Sequence, residues 1–247
     1  MKTELCSYSI AACHTAARLG IDRVELCASP AEGGVTPSIA AIREACAIPN
    51  LEVSIMIRPR GGDFLYSDEE FNLMLRDIYY AREAGATGVV FGLLTADGKV
   101  DIARTRQLVA AAQGMDTTFH RAIDMTQDYL QAVEDIITTG CTRILTSGGY
   151  DKAIDGIDNI AQAVTIAAQR IEVMAGSGVS SANALQLAAT GVDALHFSAK
   201  KMIHGEMKYR NPHISMGGTA DIDEYALRVI DKEEALHIVK LLKSHKL

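Results

Sequence analysis

Residues 52–70, EVSIMIRPRGGDFLYSDEE, contain a predicted strand, a polar loop and the start of a predicted helix. Val53, Ile55 and Ile57 alternate with other side chains, which predicts a β-strand over 52–58. The run SDEE at 67–70 is typical of a helix N-terminus, because serine caps free N–H groups and early carboxylates favour the helix dipole. The stretch therefore predicts a strand followed by a helix over 68–84.

This order of a short apolar strand and a longer helix recurs along the chain. The predicted strands cover 2–6, 23–27, 52–58, 88–93, 116–121, 143–147, 171–175 and 193–198. The predicted helices cover 9–19, 37–47, 68–84, 101–113, 126–139, 153–169, 180–190 and 231–244. Strands separated by helices pair in parallel through right-handed crossovers. Eight such units in about 250 residues are typical of a closed (β/α)8 barrel, the TIM barrel.

We expect a single α/β domain over residues 1–247. An open doubly wound sheet is the alternative, but its ligand glycines usually follow the first strand, where this chain has the serine-containing segment 7–9. No linker-like segment interrupts the pattern. Residues 199–222 are a long predicted loop after the eighth strand, which suits a lid, a partner contact, disorder or simple packing.

The composition and charge argue against some classes of protein. The 247 residues are 48% hydrophobic and carry a formal net charge of -7 without a run of Lys and Arg, which argues against a nucleic-acid partner. No apolar stretch approaches the ~20 residues that span a bilayer, and no signal-peptide pattern follows Met1. We therefore expect a cytoplasmic protein without a membrane partner, whose five cysteines are thiols.

Alternation along the strands predicts a polar barrel interior near the carboxyl ends of the strands. If Leu5, Val24 and Ile55 face the helices, their neighbours face the lumen. The predicted lumen residues are Glu4, Cys6, Glu25, Cys27, Ser54, Met56, Arg58, Thr118, His120, His196 and Ser198. Barrel proteins build their sites at this end.

Four polar residues are candidates for catalysis. Arg58 would orient an anion, and Glu25 or His120 would move a proton near neutral pH. Asp124 follows the fifth strand in the sequence FHRAID at 119–124. The alternative for Arg58 is a structural salt bridge with Glu25, since buried charges are normally paired whether or not they catalyse.

Glycine-rich exits from the last strands predict an anion site. The sequences TSGG at 146–149, AGSGV at 175–179 and HFSAK at 196–200 each follow a predicted strand. In many barrels, backbone N–H groups after strands seven and eight hold a phosphate. The candidate anion-binding residues are Arg60, Ser147, Gly176, Ser177, Gly178 and Ser198. Tight packing of turns explains so short a glycine pattern equally well.

The tripeptide ELC occurs twice, at 4–6 and 25–27, at matching places on the first two strands. Adjacent parallel strands are about 4.8 Å apart, so Cys6 and Cys27 could bring two sulfurs within reach of one ion. Thiolates favour Cu(I), with Met56 or His196 as additional ligands. The sequence thus predicts a metal site of Cys6, Cys27 and His196. The alternative for each cysteine is a small buried apolar residue.

A set of ordered motifs runs from residue 4 to about 215. They are VELC at 24–27, EGGVTPS at 32–38, IRPRGGDFLYSDEE at 57–70, TFHRAID at 118–124, LTSGG at 145–149, MAGSGV at 174–179 and YRN at 209–211. With them the chain resembles the CutC copper-homeostasis family. The resemblance implies a cytoplasmic TIM barrel that binds Cu(I), usually as a homo-oligomer such as a dimer or tetramer. The cysteines proposed to bind copper in that family match Cys6 and Cys27.

The residues leave two functions open at this point. The first is a copper-homeostasis protein that binds Cu(I) through thiolates at the barrel mouth. The second is a metal-independent lyase, isomerase or hydrolase acting on a small anionic substrate, phosphorylated or not, at the carboxyl face of the barrel. No dinucleotide fingerprint appears, so no nucleotide cofactor is expected. A third possibility is a packed lumen, with the 199–222 loop and the outer helices as an assembly surface.

Overall fold

The fold is a closed barrel of eight parallel strands with helices around it. The computed structural model describes residues 1–214 and 223–244. The barrel strands are β1 Lys2–Ser7, β2 Arg23–Leu26, β3 Glu52–Met56, β4 Gly88–Phe91, β5 Asp116–Phe119, β6 Arg143–Thr146, β7 Glu172–Gly176 and β8 Ala194–Phe197. Each strand is hydrogen-bonded to the next, and β8 closes the ring by pairing with β1. The predicted (β/α)8 barrel is confirmed.

Helices follow the strands with recognisable start and stop signals. They are α1 Ile10–Leu19, α2 Ile39–Cys46, α3 Asp68–Glu83, α4 Ile102–Ala112, α5 Tyr129–Thr139, α6 Ile157–Ala167, α7 Ala184–Ala188 and α8 Lys232–Ser244. α3 begins at a capping box in which Ser67 and Glu70 satisfy each other's backbone N–H groups. Short 3₁₀ helices cover Pro30–Glu32 and Arg121–Met125. None of the helices in the described ranges is long and apolar enough to cross a membrane.

The register of the strands separates two layers of side chains, as the alternation predicts. Leu5, Val24 and Val53 are register partners and belong to the large core between strands and helices. Cys27, Met56 and Val90 form a separate small cluster inside the barrel, against which Cys6 and Tyr8 pack. Cys6 and Glu25 are paired in register on β1 and β2, so their side chains share the lumen.

The amino end of the lumen is filled by charged side chains rather than apolar ones. Glu4 forms a buried ion pair with Arg23, and both side chains are 1% exposed. Arg143 lies 2.8 Å from Glu172 and 3.1 Å from Asp116. Buried charges of this kind are stable only as paired and hydrogen-bonded groups. The network plugs one end of the barrel and leaves the other end for a site.

The segment after β8 differs from the predicted loop. Lys200–His204 form a strand, β9, which pairs antiparallel with β10 at Ala226–Ile230. The prediction of an irregular loop is therefore wrong for 200–204. The glycines at 217 and 218, on which that prediction partly rested, lie outside the described residues.

Candidate functional site

A cavity of about 1280 Å³ opens at the carboxyl ends of the barrel strands. Its walls include Cys6, Tyr8, Glu25, Arg58, His120 and His196. They lie in or directly after β1, β2, β3, β5 and β8, and the closed topology brings the ends of these strands to one rim. The cavity is therefore the place where most of the predicted site residues meet.

Cys6, Glu25 and His196 form the tightest cluster on this wall. One side-chain ligand atom from each lies within 4.8 Å of the others. The three residues come from β1, β2 and β8, which are consecutive around the ring. Among the residues that the structure describes, this is the group whose donor atoms are close enough to hold one metal ion.

His196 is held in a fixed orientation by a second carboxylate. Its Nδ1 donates to Glu4 Oε1 at 2.8 Å, and its Nε2 lies 3.8 Å from Glu25 Oε2. Burial alone would lower the pKa of His196. The Glu25 charge and the hydrogen bonds to Cys6 and Glu4 outweigh burial and raise that pKa well above its usual value. His196 is therefore an imidazolium at neutral pH.

The two predicted copper cysteines pack together, but they are not at equal register. Cys6 is paired with Glu25, and Cys27 lies two residues further along, so the predicted matching of the two ELC sequences is wrong. The interaction between the two sulfurs lowers the pKa of the Cys6 thiol well below its usual value and raises that of Cys27. Cys27 Sγ also lies 3.4 Å from Glu25 Oε2. Burial raises the pKa of Glu25 to about 8. Of the two sulfurs, Cys6 is therefore the one whose thiolate form its surroundings favour.

Tyr8 is a site residue that the sequence analysis missed. It lies two residues after Cys6, at the next lumen-facing position, and it donates a hydrogen bond to Cys6. Burial and the Cys6 charge raise the pKa of Tyr8 above its usual value, so the hydroxyl stays protonated. Arg228 of β10 lies over the Tyr8 ring, 5.6 Å from its centroid. Side chains alternate along a strand, so extending β1 beyond its predicted end would have predicted Tyr8 as the next lumen-facing residue after Cys6.

Arg58 lies two residues beyond the end of β3, and the alternative interpretation, a salt bridge with Glu25, is wrong. Its Nη1 donates to the carbonyl oxygens of Glu32 and Gly34 at 2.6 and 2.8 Å, and its Nη2 donates to that of Gly62 at 2.9 Å. β3 ends at Met56, so the Arg58 side chain lies between two loops rather than beside β2. Arg58 joins those loops at the cavity wall.

The hydrogen bonds of the Asp124 carboxylate hold the end of β6 and the loop that follows it. Its carboxylate accepts hydrogen bonds from the backbone and hydroxyl of Ser147, from Thr146 Oγ1 and from the Gly149 N–H, and it pairs with Arg121. A carboxylate with this many donors has little capacity left to accept a proton from a substrate. The contacts give Asp124 a positioning role.

The six candidate anion-binding residues divide into two groups. Ser177, Gly178 and Ser198 line the cavity, whereas Arg60, Ser147 and Gly176 lie outside its described lining. Arg60 is bound to Glu70 at 2.6 Å. A Cβ at Gly176 would lie 2.6 Å from Leu145 Cδ1 and 3.2 Å from His196 Cβ, so close packing favours a glycine there without an anion. Along the wall, carboxylates outnumber lysine and arginine side chains.

Comparison with known proteins agrees with this architecture and these motifs. The family model described as "CutC family" matches residues 1–201. The chain is 45% identical over 243 residues to a CutC family protein of Bacteroides thetaiotaomicron, covering 98% of each chain. It is 46% identical over 230 residues to one of Bacteroides fragilis, covering 92% of this chain and 91% of the relative.

A solved structure gives the same result. The candidate copper homeostasis protein CutC from Streptococcus agalactiae superposes with a TM-score of 0.76 at 35% identity, covering 80% of this chain and 98% of that one. The family match extends over most of the barrel, and the two relatives named above cover nearly the whole chain. The chain belongs to the CutC family.

Proposed function

We propose that this chain binds Cu(I) through Cys6 and Cys27 and serves copper homeostasis in the cytoplasm. The observation that carries the proposal is the packing of Cys6, at the wall of an open cavity, against the cluster that contains Cys27. Cys6 is half-buried and lines the cavity, so an ion can reach it, while Cys27 lies behind it at 2% exposure. Two thiolates suit Cu(I), a soft ion that needs few ligands.

The groups around the two sulfurs suit a bound cation. Cys27 must lose its proton to become a ligand, and its sulfur lies 3.4 Å from Glu25 Oε2, beside the open cavity through which the proton can leave. A Cu(I) ion with two thiolates carries one net negative charge, which the His196 imidazolium offsets. Glu4 Oε1, 2.8 Å from Nδ1, holds the His196 ring in place beside Cys6.

Competition for Cu(I) tests the proposal. The reduced chain is titrated with Cu(I) in the presence of a competing chelator, in parallel with Cys6→Ser and Cys27→Ser. Loss of either sulfur should weaken binding more than about 100-fold, because a thiolate ligand matters more than its outer-shell partners. Cys46→Ser is the matched control, since Cys46 is a half-buried thiol in α2 away from the cavity. Unchanged affinity in both Cys6 and Cys27 variants would refute the proposal.

A further inference from the structure

Arg58 is a buried cation without a counter-charge. Its side chain is part of a residue that is 6% exposed, and its hydrogen bonds run to three neutral carbonyl groups. No carboxylate of the described residues forms an ion pair with it within 4.0 Å, unlike Arg23, Arg60 and Arg143. Buried charges are normally paired, so this part of the cavity wall is suited to an anion.

His120 adds an unused hydrogen-bond donor to the same wall. Its Nδ1 accepts from the Ala122 N–H at 3.2 Å, which leaves the proton of the neutral ring on Nε2. Burial and the nearby Arg58 charge lower the pKa of His120 to about 3, so the ring is neutral. Nε2 is buried and has no hydrogen-bond partner among the described residues. Buried donors nearly always have a hydrogen-bond acceptor, so a bound ligand is expected to supply one here.

One aromatic ring connects the two groups. Phe64 lies under the Arg58 guanidinium, with its centroid 5.1 Å from Cζ, and its ring centroid is 5.0 Å from that of His120. Arg58, Phe64 and His120 therefore lie together in the cavity lining, after β3 and β5. We call this surface the Arg58–His120 wall. Its residues follow β3 and β5, whereas Cys6, Glu25 and His196 lie on β1, β2 and β8.

We propose that the Arg58–His120 wall binds the carboxylate of a small organic acid whose apolar part packs on Phe64. Arg58 supplies the charge, and the His120 Nε2–H donates to a carboxylate oxygen. A phosphate is a poorer match, because the rest of the lining is rich in carboxylates that a dianion would face. The inference goes beyond copper binding and does not depend on it.

The test uses the reduced, metal-free chain with histidines labelled with ¹⁵N and three probes: butyrate, its neutral isostere butyramide, and inorganic phosphate. Butyrate should shift the His120 Nε2–H resonance, and its affinity should exceed that of butyramide and of phosphate by about tenfold or more, as for a hydrogen bond to a charged group. His120→Asn keeps a side-chain acceptor for the Ala122 N–H but is too short to place an N–H at the position of Nε2, and it should weaken butyrate binding to a similar extent.

Arg58→Gln should weaken butyrate binding at least as much, and Arg60→Gln is its matched control. Both arginines hold loop carbonyl groups, but only Arg58 lines the cavity. The inference is wrong if butyrate leaves the His120 signal unchanged, if phosphate binds more tightly than butyrate, or if Arg60→Gln weakens binding as much as Arg58→Gln. Cu(I) affinity should be unchanged in His120→Asn, which separates this test from that of the copper proposal.

Discussion

Two buried histidines at the barrel mouth have opposite charge states, and their neighbours explain the difference. His196 lies between the carboxylates of Glu4 and Glu25, which favour its protonated form. His120 is equally removed from water but lies near Arg58 and Arg121, which disfavour a further positive charge. The same residue type thus offers a cation on one side of the cavity and a neutral donor on the other.

The low pKa of His120 makes stability depend on pH in a defined direction. Its pKa is about 3 in the folded chain and 6.5 in the unfolded reference, so between these values the unfolded chain binds the extra proton. The stabilisation is therefore complete above pH 6.5 and is lost as the pH falls toward 3. At pH 4 the loss should be on the order of 3 kcal/mol.

Urea unfolding of the wild type and His120→Asn between pH 7 and pH 4 measures this effect. The wild type should lose more free energy of unfolding over that interval than the variant, which has no titrating group at 120. Histidine NMR gives an independent check, because the His120 ring signals should not titrate between pH 8 and pH 4. Parallel pH profiles for the two proteins would contradict the assignment of a buried neutral ring.

The alternation of side chains along the strands predicts that Cys6, Glu25 and His196 lie together. It does not predict the hydrogen-bond partners of Arg58 and Asp124. Cys6, Glu25 and His196 lie at lumen-facing positions of neighbouring strands, so a period of two and the closed ring are enough to bring them together. Arg58 and Asp124 are bound mainly by loop backbone groups. Loop paths depend on turn geometry and tertiary packing, which side-chain pattern does not encode.

Backbone conformation and packing explain the two glycines that follow β6 in the sequence TSGG at 146–149. Gly148 has a φ of +74°, and a Cβ there would lie 2.3 Å from the carbonyl oxygen of Gly156, just before α6. Gly149 has a φ of +80°, but no atom lies within 4 Å of its would-be Cβ. Gly148 thus permits both a positive φ and the close approach of the Gly156 backbone. Gly149 permits only the positive φ.

These two glycines make a matched pair for a stability measurement. Gly149→Ala should cost about 1–2 kcal/mol of unfolding free energy, the usual penalty for a left-handed alanine. Gly148→Ala should cost clearly more, because the backbone at Gly156 must also move. Chemical denaturation of both variants gives the comparison. Equal losses would show that the loop and the start of α6 separate easily.

The β9–β10 ribbon is an element that the alternation of apolar residues could not predict. All five residues of β9 are exposed, so the strand has no alternation of buried and exposed positions to reveal it. Sequence methods detect strands mainly through that alternation. The barrel strands were found because each has buried neighbours on the helix side. An exposed ribbon is defined instead by its hydrogen bonds to a partner strand, which lies more than twenty residues further along the chain.

In the molecule as a whole, the two ends of the barrel differ in structure: one is closed and the other is open. The amino end is closed by Glu4, Arg23, Arg143 and their carboxylate partners, while the carboxyl end opens into the cavity. Glu4 belongs to both ends, because it pairs with Arg23 below and with His196 above. The closing network therefore also sets the orientation of a residue in the candidate metal site.

The position of Arg23 in this network predicts a large effect of its removal. Burial alone would raise the pKa of Glu4, but the hydrogen bond with His196 and the Arg23 charge lower it to about 2. Arg23→Met leaves the Glu4 carboxylate buried without one of its two cations, which should cost about 3–5 kcal/mol at pH 7. Arg170→Met, which breaks the exposed pair with Glu134, should cost no more than about 1 kcal/mol.

A double variant separates the loss of an ion pair from the loss of packing. If the cost of Arg23→Met comes mainly from the uncompensated carboxylate, Glu4→Gln should restore part of the stability when it is added to Arg23→Met. Urea unfolding of the two single variants and the double variant at pH 7 gives the coupling energy. A double variant whose loss equals the sum of the single losses would show that the barrel is closed by side-chain packing, and that the charge of Glu4 contributes little.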